Sequence, residues 1–145
     1  MTALETMRAF VESFPDFDVL SRFDIDYTDK VPNSAGLFPA GLVEIRRRPD
    51  VLGNVEVDNQ LNFALSQTLE KYEDATDNAE WQMAFQAWVQ EQSVRHLAPT
   101  FGDYPLRERI AAQNGAIFSA SDEGTAVYVI HLSVTFTKRY EREDT

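Results

Sequence analysis

The chain contains no cysteine, which removes disulfide frameworks, thiolate zinc sites, iron–sulfur clusters and cysteine nucleophiles at once. Positive charge is scarce: 13 Lys and Arg stand against 24 Asp and Glu, a net charge of −11 at pH 7. Proteins that grip duplex DNA by releasing counterions need a basic face, and this surface must be mostly negative. Long apolar runs are missing too. The longest stretches free of Asp, Glu, Lys and Arg, Val31 to Val43 and Thr125 to Thr137, have 13 residues each, short of the roughly 17 to 25 of a membrane helix. No membrane partner is expected. Met1 to Phe14 carries Glu5, Arg8 and Glu12 inside its apolar pattern, so export by a signal peptide is not expected either.

What remains is 145 residues, 43% hydrophobic and 26% charged, the composition of one ordinary globular domain. Leu4, Met7, Phe10, Val11 and Phe14 recur at helical spacing before Pro15, which predicts a first amphipathic helix. Phe23, Ile25 and Tyr27 alternate with Asp24, Asp26 and Thr28, as in a strand with one wet face. Pro32, Gly36 and Pro39 crowd the interval from Lys30 to Ala40, which reads as an ordered loop. Gly41 to Arg48 and Val55 to Leu69 then alternate with their apolar residues at odd positions. A hairpin around Pro49 to Asn54 that sets odd opposite odd keeps both apolar sets on one face. It also places Glu44, Arg46 and Arg48 on the wet face with Glu56 and Asp58.

A helix is expected from Asp77, with Glu80 three residues on as a capping box, to about Leu97. Trp81, Phe85 and Trp88 form its core stripe, and Gln82, Gln86, Gln90 and Gln92 its polar positions. Residues 105 to 114 fit a short helix, yet Asn114–Gly115 between apolar residues is a hairpin signal, so we read strands at Arg107 to Gln113 and Ala116 to Ala120. After a turn at Ser121 to Gly124, Ala126 to Lys138 has apolar residues on both faces, as a central strand would. The expectation is a single α+β domain over residues 1–138. Its sheet, largely antiparallel or mixed, has five to six strands, and two helices pack on one face. The charged tail 139–145 frays.

The patterns for phosphate loops, zinc proteases, nucleophile elbows and dinucleotide sites are absent. Asp24 and Asp26 could share a divalent cation, but two carboxylates are too few and read as a solvent face. His96 sits at a helix C-terminus, where the helix dipole favours it. His131 lies on a strand without a serine or second histidine at catalytic spacing. Arg46, Arg47 and Arg48 are the one basic run, expected to pair with carboxylates of this chain or a neighbouring subunit. No catalytic residue, metal or cofactor is assigned.

Several strings nevertheless carry a resemblance. GLFPAGL from Gly36, DVLGN from Asp50, NQLNFAL from Asn59, AEWQMAFQAWVQEQS from Ala79, LAPTFGD from Leu97, AQNGAIF from Ala112 and DEGTAVYVIHLSVTFTKRYE from Asp122 together span about Gly36 to Glu141. In order and spacing they resemble a group of phage minor capsid or minor tail proteins that look like tail terminators of long, non-contractile tails. The resemblance implies an α+β subunit in a homo-oligomeric ring, a hexamer. That ring caps the head-proximal end of the tail tube and docks to the head connector in the virion, after synthesis in the host cytoplasm. Its partners are the tail tube protein and the connector protein, and DNA passes through the channel without specific binding. In such a ring Arg46 to Arg48 are expected at a subunit or connector interface, and Glu56 and Asp58 as channel lining that repels phosphate. Two other classes stay open: a small metal-dependent enzyme using Asp24, Asp26 and His131, and a monomeric adaptor binding through an open sheet edge.

Overall fold

The computed structural model describes residues 2–15, 17, 22–25, 34–70, 76–120 and 125–142. A first helix, α1 (Ala3–Glu12), opens on a reciprocal cap: the Thr2 hydroxyl accepts from the Glu5 N–H, and the Glu5 carboxylate accepts from the Thr2 N–H. Two of the four orphan donors of a helix start are satisfied this way. Next come β1 (Arg22–Ile25), β2 (Ser34–Pro49) and β3 (Val55–Glu70), then α2 (Thr76–Val94), a 3-10 turn at Pro105–Arg107, β4 (Arg109–Ala120) and β5 (Thr125–Tyr140). All five strands form one sheet in the order β1-β2-β3-β5-β4.

This corrects the expected sheet of five to six strands. Four strands, β2 to β5, form the antiparallel body, and the short β1 joins β2 in parallel along Ser34 to Leu37. The sixth strand disappears because Asn114–Gly115 is no turn. Gln113 faces His131 and Ala116 faces Val129, so two residues of β4 oppose one of β5. The Asn-Gly pair is absorbed as a β-bulge inside a continuous strand. A second correction concerns 34–40, read as loop. Ser34 to Pro39 pair with Phe63 to Thr68, and Pro39 is tolerated because its missing N–H lies on a strand whose outer side carries no ladder there. β5 also runs past Lys138, and the Arg139 N–H donates to Asp103 Oδ2 at 2.7 Å and the Arg142 N–H to Asn54 Oδ1 at 2.9 Å. Residues 139–142 are therefore tied down.

Both helices lie over the same sheet face. Met7, Val11 and Phe14 of the first helix region meet Phe85 and Val89 of α2 above Leu37, Phe63, Leu65, Ile130, Leu132 and Val134. Phe14 is the junction, with ring centroids 5.3 Å from Phe85 and 5.4 Å from both Trp81 and Trp88. Phe85 is fully buried whereas both tryptophans are only partly buried. Helical geometry also puts Gln82 and Ser93 on the buried stripe with Phe85 and Val89, so Gln82, which looked solvent-facing, is inside, while Gln86 and Gln92 are half-buried and Gln90 is exposed. Ser93 and Gln86 close the sheet's outer edge. Ser93 Oγ accepts from the Ile110 N–H at 3.1 Å, and Gln86 Nε2 donates to the Ala112 carbonyl at 3.3 Å. An edge strand's free backbone is thereby satisfied by helix side chains. The helix ends in a Schellman motif, with Leu97 N–H on Gln92 O, His96 N–H on Ser93 O, and His96 itself at φ +59°. His96 thus occupies the left-handed position usually given to glycine.

Candidate functional site

Beyond Pro39 and Phe63 the β2–β3 hairpin, with β5 paired to β3 as far as Val55–Tyr140, forms one end of the sheet, here called the arm. Its shape comes from two irregularities in β2. Ala40 and Gly41 together oppose Asn62, with Gly41 at φ +99°, and Ile45 is an extra residue between Glu44, which faces Asn59, and Arg46, which faces Asp58. Each bulge bends the strand and shifts the parity of its side chains. The tip, residues 50–54, is held by Asp50. Its carboxylate accepts from the Leu52 N–H at 2.8 Å and the Asn54 N–H at 3.0 Å. Gly53 adopts φ +90° against Arg142, whose Cδ would lie 2.8 Å from a Cβ placed there. A rigid turn therefore presents Val51 and Leu52 outward, both exposed. Leu42, Val43, Ile45 and Tyr140 are exposed along the arm as well.

The parity shift redistributes the predicted charges. Arg46 and Arg48 lie on the open face with Glu56 and Asp58. Glu44 has moved to the opposite face, where its carboxylate accepts from Arg47 Nη2 at 2.7 Å. The expectation that Glu44 joins the other four is thus corrected by the bulge at Ile45. The basic run is not one patch, since the pleat sends Arg47 one way and Arg46 and Arg48 the other.

Arg48 is the centre of a network. Its guanidinium bonds both oxygens of Asp58, with Nη2 2.9 Å from Oδ1, and also reaches Glu56. Thr137 donates its hydroxyl to Asp58 at 2.7 Å, and Tyr104 donates to Glu56 at 2.8 Å. Arg139 lies 3.7 Å from Glu56, and Arg107 sits over the Tyr104 ring at 4.3 Å. Hydrogen bonds from Arg48 and Thr137 hold the Asp58 carboxyl below its ordinary pKa. Tyr104, followed by Arg48, does the same for Glu56. The structure thus brings together Arg48, Glu56 and Asp58, which the expected register had already set on one face, and pairs both carboxylates with Arg48. Tyr104, Arg107, Thr137 and Arg139 were not foreseen. They come from the segment 101–108 and the far end of β5, and only three-dimensional proximity identifies them.

That segment is anchored by a buried acid. Glu108 is fully buried, and its Oε1 accepts from the Phe101 N–H at 2.6 Å. Burial, reinforced by the charge of Asp103, raises its pKa in spite of the backbone donors at Phe101 and Gly102. Phe101 packs on Phe63 and Phe136, and the Asp103 N–H extends the edge of β5 by donating to Thr137 O at 2.9 Å.

At the other edge of the sheet, α2 and β4 flank an open groove of 560 Å³ lined by Ala87, Gln90, Val94, Ile110, Ala111 and Ala112 among others. His131 is exposed on the open sheet face, near Gln60, Asn62, Gln113 and Ser133 around a shallow pocket of 270 Å³. Among the described residues no group of three or more His, Asp or Glu side chains is placed to hold a metal ion. The side chain of Asp24, that of Asp77 in the expected capping box, Asp26, and the turn at Ser121 to Gly124 lie outside what is described. Among the described residues no helix is long and apolar enough to cross a membrane. The arm thus carries exposed apolar groups beside a charge network centred on Arg48. No protein-family model matches the chain, and a search of curated proteins finds no match.

Proposed function

We propose that the chain is a structural virion subunit. In this reading it forms a homo-oligomeric ring, a hexamer, that terminates the head-proximal end of a phage tail tube and docks to the head connector, with no catalytic role. The observation that carries this reading is the arm: six large apolar residues, Leu42, Val43, Ile45, Val51, Leu52 and Tyr140, are exposed at one end of an acidic body. Leu42 and Tyr140 lie on one face of the arm and Val43 on the other, with Val51 and Leu52 at its tip, and exposed apolar side chains gathered at one end of a fold mark a contact site. The stretches from Gly36 to Glu141 that resemble tail terminators include this arm. Compensated charges at Glu56 and Asp58 make that face a contact surface more than a wall against DNA. Repulsion of phosphate in the channel would then come from the acidic body.

The test is light scattering after gel filtration, followed by electron microscopy of the protein mixed with purified tail tubes. A ring of defined mass seated at one tube end is expected. A chain that stays monomeric at high concentration and leaves tube ends bare overturns the reading.

A further inference from the structure

Two of the three consecutive arginines are committed inside the chain, Arg47 to Glu44 and Arg48 to Asp58 and Glu56. Arg46 is not. It is exposed on the open face, in the row Arg46, Asp58, Thr137 across β2, β3 and β5, and among the described residues it has no ion-pair partner. Arg107 is a second uncommitted cation. It too is exposed and outside every ion pair among the described residues, and its Cζ sits over the Tyr104 ring. Such a contact restrains a guanidinium without neutralising it. Both cations act on the same network: Arg46 helps to lower the Asp58 pKa, and Arg107 that of Glu56.

A cleft of 360 Å³ opens here, lined by Ile45 and Arg48 from β2, Asp58 from β3, Thr135 and Thr137 from β5, and Arg107. Its floor is already compensated. Asp58, the only carboxylate lining it among the described residues, accepts from Arg48 through both oxygens and from the Thr137 hydroxyl. Beside the cleft Glu56 and Glu141 are paired with Arg48 and Arg139. The Thr135 hydroxyl has no partner among the described residues. An incoming group therefore meets two guanidinium groups without counter-ions, one hydroxyl donor and the exposed apolar side chain of Ile45.

Charge complementarity makes the ligand anionic, and a guanidinium fork matches a carboxylate in geometry. A nucleic-acid backbone draws its affinity from many phosphate contacts, and two free cations supply too few. A free inorganic anion leaves Ile45 unused. An acidic peptide with an apolar residue among its carboxylates uses every group present. We propose that this cleft binds an acidic segment of a partner protein, with carboxylates on Arg46 and Arg107 and an apolar side chain against Ile45. The site is complete within one chain and does not depend on the ring reading.

The probe is a peptide of glutamates around one leucine, titrated into the full chain and read by calorimetry. Salt is held near 0.1 M, where exposed charges more than about 10 Å apart are largely screened. Saturable binding to wild type is expected, weakened about tenfold by Arg46→Gln and about tenfold by Arg107→Gln. A matched peptide with glutamine for glutamate should not bind. Both positions are exposed, so thermal melts of the variants should match wild type. Arg8→Gln removes the same charge from α1, over the other face of the sheet, and should leave affinity within about twofold of wild type. Absence of saturable binding, or a loss that Arg8→Gln reproduces, overturns the site. A loss through only one of Arg46 and Arg107, or through neither, overturns the two-point contact. Inorganic phosphate, or a single-stranded oligonucleotide of equal charge, that binds more tightly than the peptide overturns the acidic segment as the occupant.

Discussion

Gln82 of α2 donates its side-chain amide to the Gln67 carbonyl oxygen at 2.5 Å, inside the contact between the long helix and the centre of the sheet. Both side chains are fully buried. Among the described residues the other halves of the two amides, Gln67 Nε2 and Gln82 Oε1, have no hydrogen-bond partner. The pair is a single bond between two buried amides, and it aligns the helix on the strands at some cost in desolvation.

That cost sets the first expectation. Gln67→Leu alone strands the Gln82 amide and should lose about 1 to 3 kcal/mol. The double replacement of Gln67 and Gln82 by Leu removes both polar groups together, and should lose clearly less than the sum of the single changes. Urea unfolding of the four proteins reads the coupling directly, and additive losses would show that the bond contributes nothing.

The aromatic stripe of α2 is unequal. Phe85→Ala empties a site enclosed by Phe14, Trp81 and Trp88 and should cost about 3 to 5 kcal/mol. Trp88 is partly exposed, so Trp88→Ala should cost roughly 1 to 3 kcal/mol, because less area returns to water. Equilibrium denaturation that ranks Trp88 above Phe85 would contradict the burial order.

Gly102 is a close-approach position. A Cβ there would lie 2.4 Å from the Thr137 carbonyl oxygen, so Gly102→Ala forces the segment 101–108 off β5. The variant should lose roughly 1 to 3 kcal/mol. It should also free the Arg139 amide, now held by Asp103, to exchange its hydrogen faster. Wild-type exchange at Arg139 in a destabilised variant would place the strain elsewhere.

Periodicity made the core-facing halves of the strands legible. Phe63 and Leu65 with Ile130, Leu132 and Val134 repeat every two residues, and every one is buried. Wherever the backbone departs from the regular ladder the pattern misled. Gly36 and Pro39 look like loop residues but belong to a strand whose long pairing overrides local preference. Asn114–Gly115 satisfies a turn's requirements and a bulge's equally well. The arginine run was visible as a run. Its division between two faces was not, because the extra residue at Ile45 leaves no mark in composition. Tyr104 and Arg139 join Glu56 from 48 and 83 positions away along the chain, a distance no local pattern spans. Val51 and Leu52, two apolar residues inside an otherwise polar turn, were the one sign of the arm that sequence alone displayed.

The last expectation concerns pH, where two sites of opposite sign can be separated. Asp58 and Glu56 have carboxyls held below their ordinary pKa by Arg48, Thr137 and Tyr104. The folded state therefore binds their protons less readily than the unfolded chain. Their contribution is fully present above the unfolded value of about 4 and is lost as pH falls through the lower, folded value. Glu108 works the other way. Its pKa is raised by burial and by Asp103, so its contribution is fully present below the unfolded value of about 4.3 and is lost as pH rises through the folded value. Net charge also changes over this range and moves every protein's melting temperature, so the informative quantity is the difference between a variant and wild type at each pH. Glu108→Gln keeps an oxygen for the Phe101 N–H and removes the buried charge. Its melting temperature minus that of wild type should increase from pH 4 to pH 8. Asp58→Asn should show a deficit at pH 7 that shrinks as pH falls below the unfolded value of about 4, because the wild-type contribution is progressively lost down to the lowered, folded value. Melts at unit intervals of pH decide both cases. A Glu108→Gln difference that stays flat with pH would mean the buried carboxyl does not change its charge between folded and unfolded chains, and that Phe101 and Gly102 alone suffice to hold it ionised.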